Sequence, residues 1–195
     1  MYNINKQKKE MKKILMTLAA VAMAATMNAQ TWIGGEIGFE SNHVNGASST
    51  AKAFQIAPEI GYNVSDNFSI AAQLGYAYTS SQELPVIGAV SNINGYTFKP
   101  YARYTFVKAG NFSAFFDGGL RYTFAHIKGI ENNVNNAGVF VTPGLAYAVS
   151  PKVTLVSHLG DGLTYTHSWM KDVYRSNAVK FQLFNGISFG AYYNF

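Results

Sequence analysis

Four histidines are the side chains of this sequence with the most obvious catalytic chemistry. Together with Asp161 and Ser168 they could supply the nucleophile, base and orienting acid of a lipid-cleaving or acyl-transferring enzyme; the histidines are His43, His126, His158 and His167. No HxxEH-type or Gly-x-Ser-x-Gly motif accompanies them. Scattered histidines near the ends of predicted segments are more often solvated, so we expect no catalytic residues.

The sequence does not support a metal site or a nucleotide site either. The chain has no cysteine, and no two of its histidines have the spacing of metal ligands. The run Gly34-Gly35-Glu36-Ile37-Gly38 lies within a predicted strand and no helix follows it, so it is a poor phosphate-binding loop. The sequence therefore predicts no metal and no cofactor.

The basic charge of the chain belongs mainly to its first residues. Residues 1–29 hold five of the fifteen basic residues and one of the ten acidic ones, so ten basic and nine acidic residues remain beyond them, a net charge of +1. This distribution removes the main argument for a nucleic-acid partner.

A leader for export is predicted in the same residues. Lys12 and Lys13 precede a twelve-residue, mostly apolar stretch from Ile14 to Ala25, and Ala29 is small enough to precede a signal-peptidase cut. Twelve helical residues span about 18 Å, which is too short for a bilayer core of about 30 Å. We expect residues 1–29 to be a signal peptide, with Met11 as a possible true start, and residues 30–195 to form one domain.

That domain has the two-residue period of β-strands. Phe54, Ile56, Ile60 and Tyr62, for example, share a face opposite Gln55, Ala57, Glu59, Gly61 and Asn63. Eight such segments can be drawn, each long enough for a tilted strand to cross a membrane; they span roughly 31–41, 54–63, 68–79, 96–106, 112–124, 137–149, 153–166 and 179–195.

The connections between these segments alternate in length. Short turns are expected at 64–67, 107–111 and 150–152, and longer polar loops at 42–52, 80–95, 127–136 and 167–178. This alternation places both ends of the domain at the short-turn end of an antiparallel, up-and-down barrel. In bacterial outer-membrane barrels the short turns face the periplasm and the long loops face the exterior.

The composition of the two faces favours a transmembrane barrel over a soluble one. In a soluble barrel the apolar face would point inward, and the Gly-, Ala-, Ser- and Thr-rich face would meet water. Soluble exteriors are about 25–35% charged, and these strands are far below that. The predicted fold class is all-β, a transmembrane eight-stranded barrel with small residues inside and aromatic residues toward lipid.

A repeated Pro-x-x-x-Tyr pattern supports this assignment. Three prolines, Pro58, Pro100 and Pro143, each precede a tyrosine by four positions, in strands that descend to short turns. Those tyrosines and one near the end of the chain are expected to form an interfacial aromatic girdle; they are Tyr62, Tyr104, Tyr147 and Tyr193. Proline removes one ladder donor, so we expect a local irregularity such as a bulge at each.

Charged side chains are expected inside the barrel. An eight-stranded barrel has an interior just wide enough for side chains to fill, and charges there must be paired. The inward set has four acids and four bases, and predicts a filled lumen without an open channel; it comprises Glu36, Glu40, Glu59, Lys99, Arg103, Asp117, Arg121 and Lys180. The alternative is a narrow porin in which these pairs rearrange to admit small solutes.

The last strand completes a resemblance to a known family. Ile187, Phe189, Tyr193 and Phe195 share one face, and the sequence ends on phenylalanine. With the leader, eight strands and alternating connections, the chain resembles the small outer-membrane protein A/X-type barrels. The resemblance implies the bacterial outer membrane, a structural or surface-binding role, and recognition of Tyr193 and Phe195 by the barrel-assembly machinery.

The long loops hold whatever recognition the protein performs, since loops on a rigid scaffold usually carry binding. The last of them contains Trp169, Lys171 and Arg175, which could contact outer-membrane lipid or the phosphates of lipopolysaccharide. The sequence names no extracellular partner. A lipid-modifying enzyme remains a distant alternative, and the histidines to test would be His158 and His167.

Overall fold

The structure, a computed structural model, describes residues 30–43, 50–84, 88–128, 132–184 and 187–195. The proposed signal peptide, residues 1–29, lies outside the described residues. No helix in the described part of the chain is long and apolar enough to cross a membrane.

The described residues form ten β-strands. They are β1 (Thr31–His43), β2 (Thr50–Asn63), β3 (Phe68–Leu84), β4 (Gly88–Ala109), β5 (Phe112–Ile127), β6 (Val134–Ser150), β7 (Val153–Leu159), β8 (Gly162–Met170), β9 (Tyr174–Gln182) and β10 (Ile187–Asn194). Their alternating sequences explain this: one face carries large apolar residues and the other small or polar ones, the pattern of a sheet with two different surroundings.

The strands close into an antiparallel barrel. Each strand from β1 to β6 pairs with the next, β6 pairs with both β7 and β8, and β10 pairs with both β7 and β1. The contact from Trp32↔Asn194 to Ile37↔Phe189 joins the first strand to the last. The predicted eight-stranded barrel is confirmed, with β7–β8 as its seventh strand and β9–β10 as its eighth.

The seventh and eighth strands of the barrel are both interrupted at the same level along the barrel axis. Gly160 and Gly162 have φ values of 91° and 67°, in the left-handed region that favours glycine, and they separate β7 from β8. The strand pairing places this break beside the one between β9 and β10, because Ile187 pairs with Leu159 and Gln182 pairs with Gly162. Beyond these breaks the hairpin β8–β9 continues the barrel wall, because β8 pairs with β6 from Leu163 to Met170.

Two of the expected long loops are largely strand. The hairpin β3–β4 continues its pairing to Leu84↔Gly88, and β8 runs to Met170 with only Lys171–Val173 before β9. The sequence interpretation of 80–95 and 167–178 as loops was wrong in this respect, because polar alternation beyond the apolar band is compatible with a solvated hairpin. Loop length nevertheless differs between the two ends of the barrel.

The proline positions differ from the expected bulges. The ladder β2–β3 lapses between Ile56↔Tyr76 and Glu59↔Gln73, around Pro58, and resumes in the same register. The ladder β4–β5 does the same around Pro100, and Pro143 lies where β6 changes partner from β8 to β7. The missing proline N–H thus falls where a ladder is already interrupted. No extra residue is inserted at Pro58 or Pro100, whereas opposite Pro143 the two residues 142–143 face the four residues 159–162.

Large apolar side chains on one face of the strands are exposed on the outside of the barrel, as lipid contact requires. Inside, Trp32, Phe115, Val156 and Tyr192 form a buried cluster toward the short-turn end, defined here by residues 64–67, 110–111 and 151–152. A second inward cluster, the apolar cap, joins Ile127 and Met170 with Ile93, Val134 and Tyr174 at the opposite, long-loop end.

Candidate functional site

Between these two apolar clusters lies a layer of buried charged side chains. We call it the charge layer: Glu36, Glu59, Lys99, Arg103, Asp117 and His158, all of them buried. They project inward from β1, β2, β4, β5 and β7, because each occupies the inward position of a two-residue alternation. Five of the six are among the charges that the sequence placed inside the barrel.

Arg103 and Asp117 form the centre of the layer. Arg103 donates from Nε to Asp117 Oδ1 at 2.7 Å and from Nη2 to Oδ2 at 2.8 Å. This is the bidentate geometry that makes an arginine–carboxylate pair strong and directional. The two residues are paired across β4 and β5, so the sheet register itself sets the contact.

Arg103 is also enclosed by aromatic side chains. Its Nη2 donates to the hydroxyls of Tyr101 at 3.2 Å and Tyr192 at 3.1 Å, and its guanidinium lies 3.9 Å from the ring centre of Phe115. Tyr192 in turn stacks on Trp32 with ring centroids 4.2 Å apart. These contacts fix the guanidinium in position.

His158 connects two of the carboxylates. Its Nε2 lies 2.8 Å from Asp117 Oδ2, and its Nδ1 lies 2.8 Å from Glu36 Oε1. The first contact is a hydrogen bond; the second lacks hydrogen-bond alignment and is best described as an ion pair. Sequence reasoning placed His158 near an outer strand end and missed this role, although Thr154, Val156 and His158 alternate on one face.

Glu59 and Lys99 complete the layer. Glu59 accepts a hydrogen bond from Gln73 Nε2 at 2.9 Å and another from the hydroxyl of Tyr101. The Lys99 ammonium lies 4.7 Å from the ring centre of Phe140 and 5.5 Å from that of Tyr101. Three acidic side chains therefore face two basic ones and one histidine, and the layer is electrically neutral when all six are ionised.

The remaining inward candidates are placed differently. Arg121 lies beyond the layer, 3.7 Å from Asp161, and both side chains are partly exposed. Lys180 faces the same side of the sheet as buried Thr164 but is itself exposed, because β9 has a strand on one side only. It does not join the charge layer. The side chain of Glu40 lies outside the described residues.

The four girdle tyrosines all lie at the short-turn ends of their strands and are exposed. Tyr147 packs on Phe112 with ring centroids 4.6 Å apart, and Tyr193 meets Phe195 edge-on at 5.1 Å. The hydroxyl of Tyr62 donates to Gln30. Tyr104 is exposed beside the same turns. This band is the arrangement expected of side chains at a membrane–water boundary.

The other sequence candidates lie at the long-loop end. Trp169 stacks on His167 with centroids 5.3 Å apart and pairs across the hairpin with Arg175. Lys171 and Arg175 are exposed. His126 contacts Asn133 and His167 contacts Asn177, so neither is near His158. No group of three potential metal ligands occurs among the described residues.

A water-accessible cavity occupies the short-turn end. Its volume is about 490 Å³, and Arg103, Phe115 and Tyr192 contribute to its lining where it meets the charge layer. Most of the other lining residues are polar, such as Asn63 and Thr154, and the charged Asp66 and Lys108 are among them. A second, smaller cavity of about 20 Å³ lies near Arg121 and Phe140.

A closed antiparallel barrel with apolar residues outside, an aromatic band at one end and buried charges inside defines a class, the small transmembrane β-barrels. The chain belongs to the outer-membrane β-barrel family, because the model of the outer membrane protein beta-barrel domain matches residues 14–195. Proteins of this family reside in the bacterial outer membrane, and so does this one.

Two solved structures illustrate the similarity. Neisserial surface protein A is 18% identical, with a TM-score of 0.52 over 86% of this chain and 98% of that one. The outer-membrane protein OprG of Pseudomonas aeruginosa is 12% identical, with a TM-score of 0.56 over 86% of this chain and 97% of that one. At these identities the similarity concerns the fold. No curated protein sequence matches the chain.

Proposed function

We propose that this protein is a structural or surface-binding barrel of the outer membrane with a closed lumen and no catalytic activity. The observation that carries the proposal is the charge layer, in which Arg103 holds Asp117 through two hydrogen bonds and both side chains are buried. Buried charges held this closely leave no continuous aqueous path, and moving them apart exposes each to a low-dielectric interior.

The non-catalytic part of the proposal is supported by where the histidines lie. His158 is inside the barrel and engaged with two carboxylates, whereas His167 is on the outer face beside Trp169. Asp161, the acid of the hypothetical triad, lies 3.7 Å from Arg121. These groups do not converge on a common point where a reacting atom could lie.

Surface binding is assigned to the long-loop end and assembly to the last strand. The tip of the β8–β9 hairpin presents Lys171 and Arg175, which suit the phosphates of lipopolysaccharide. Tyr193 is exposed on the lipid-facing side of β10, and the half-buried Phe195 packs against it just beyond the strand, where the assembly machinery would recognise them. The proposed orientation puts the short turns in the periplasm.

Single-channel conductance tests the closed lumen. The protein is inserted into a planar bilayer, and its insertion is verified by protease protection. We expect no discrete openings. Regular openings would contradict the proposal and favour the porin, for which the cavity of about 490 Å³ at the short-turn end would be one vestibule.

One variant distinguishes a charge layer that rearranges, as in a narrow porin, from a charge layer that stays fixed. Asp117→Asn keeps the shape of the side chain and removes the charge that holds Arg103 and His158. In a narrow porin gated by these ion pairs, this change alters the open probability. In the closed barrel that we propose, it lowers stability and leaves the bilayer silent.

A further inference from the structure

Within the described residues, the barrel wall is incomplete at the long-loop end. Among these residues the first strand pairs with β10 only up to Ile37, and Gly38–His43 pair only with β2. On the other side, the described residues of β9 pair with β8 alone. We call the gap between Gly38–His43 and β9 the notch. Here two strand edges face each other without hydrogen bonding between them.

Side-chain exposure shows the same opening. Phe39 is 74% exposed, whereas Phe54, its direct partner on β2, is 46% exposed because strands flank it on both sides. On the far side of the notch, Val179 and Phe181 are 72% and 70% exposed. These outward-facing side chains form apolar walls on both sides of the notch.

The hairpin that borders the notch is also the basic part of the barrel. Residues 162–182 contain Lys171, Arg175 and Lys180 but only one acid, Asp172, a net charge of +2 within a domain whose net charge is +1. Lys180 lies between Val179 and Phe181 and projects from the opposite, inward face. The same edge strand thus carries an exposed cation on its inward face and exposed apolar side chains on its outward face.

The unpaired strand edges, the apolar walls and the exposed lysine together indicate what kind of molecule would bind in the notch. A strand edge cannot remain bare in hydrocarbon, because unsatisfied backbone groups there cost several kcal/mol each. Near the interface, the ester, amide and phosphate oxygens of a lipid can accept hydrogen bonds from such an edge, while its acyl chains cover the apolar walls. A cation adjacent to both favours an anionic headgroup.

We propose that the notch binds one phosphorylated lipid of the outer leaflet, with its phosphate at Lys180 and its acyl chains along Phe39, Val179 and Phe181. The site rests on the proposed orientation, which puts the long-loop end outside. It does not depend on the closed lumen, so conductance and lipid binding can fail separately.

The first experiment uses the full chain, exported to bacterial outer membranes and extracted in a mild detergent. Native mass spectrometry is performed with added lipid A, a diphosphorylated glycolipid, and with phosphatidylethanolamine as a zwitterionic control. We expect one lipid A per barrel. Lys180→Gln should reduce the bound fraction by about tenfold, the loss of one charge-assisted contact.

The matched control is Lys152→Gln, which removes an exposed lysine at the short-turn end. It should retain lipid A. Absence of lipid A from the wild-type protein, equal retention of phosphatidylethanolamine, or equal loss in both lysine variants would overturn the proposal.

A second experiment identifies any other occupant, and the natural absence of cysteine makes it direct. Phe39→Cys combined with Val179→Cys places one thiol on each side of the notch. We expect both thiols to remain free under mild oxidation in the membrane. An intramolecular disulfide would show that β9 closes onto β1, and an intermolecular disulfide would show that a second copy fills the notch; either result overturns lipid binding.

Discussion

At the residue scale, the buried carboxylate of Asp117 depends directly on Arg103, which holds it through two hydrogen bonds. Removing the guanidinium by Arg103→Met leaves a buried carboxylate without its bidentate partner, which typically costs about 3–5 kcal/mol. We therefore expect a much lower urea midpoint for the barrel in lipid vesicles, measured by the loss of β-sheet circular dichroism.

Arg121→Met is the control for this change. Its contact with Asp161 is longer, at 3.7 Å, and both side chains are partly exposed. Such pairs contribute about 0–1 kcal/mol, so the midpoint should move little. Equal effects of the two substitutions would show that enclosure by Tyr101, Phe115 and Tyr192 does not set the strength of the pair. The sequence alone could not rank these two arginines, because both have inward parity.

His158 gives a prediction about proton positions. Both ring nitrogens lie 2.8 Å from a carboxylate oxygen. A neutral imidazole donates from only one nitrogen, so the other would face an oxygen lone pair. We expect both nitrogens to carry a proton in the folded barrel, observable as two protonated ring nitrogens for His158 in nitrogen-15 NMR near neutral pH. A single protonated nitrogen would contradict the ion pair with Glu36.

At the element scale, small residues allow the strands to carry large side chains inward. A Cβ at Gly119 would lie 2.3 Å from the carbonyl oxygen of Pro100 and 2.7 Å from Cα of Tyr101, which belong to the neighbouring backbone. Neither atom can move without shifting β4. Gly119→Ala should therefore lower the free energy of unfolding by about 1–3 kcal/mol.

The preceding residue, Gly118, offers the matched control on the same strand. A Cβ at Gly118 would approach nothing closer than 3.7 Å, an ordinary contact. Gly118→Ala should leave the free energy of unfolding within about 0.5 kcal/mol of the wild-type value. If both alanine variants behave alike, the close approach at Gly119 is relieved by the barrel without cost, and small inward residues are not required there.

The sequence predicted where strands form, their order in the barrel, and which side chains face lipid. It could do so because a two-residue period distinguishes lipid-facing Phe54 and Ile56 from inward Gln55. Strand ends were not predictable, since polar residues of 80–95 are equally compatible with a loop and with a solvated hairpin. The break between β7 and β8 had a local signal in Gly160-Asp161-Gly162. The notch had none, because strand pairing at the closing seam depends on how the whole barrel closes.

At the scale of the whole molecule, three layers are stacked along the barrel axis. The cavity at the short-turn end comes first, the charge layer follows, and the apolar cap of Ile127 and Met170 lies at the long-loop end. This order is consistent with the closed lumen that we propose, because the buried charges lie in the middle of the barrel, and the larger cavity lies at one end of it.

The orientation of these layers in the membrane leads to a prediction for intact cells. Lys171 is exposed in the turn between β8 and β9, and Asp66 is exposed in the turn between β2 and β3, at the opposite end. The protein has no cysteine of its own, so each position can carry a single reporter thiol. A membrane-impermeant maleimide should label Lys171→Cys in whole cells and Asp66→Cys only after permeabilisation. The reverse pattern would place the notch and the hairpin charges in the periplasm, and both binding proposals would then be excluded while the closed lumen would be unaffected.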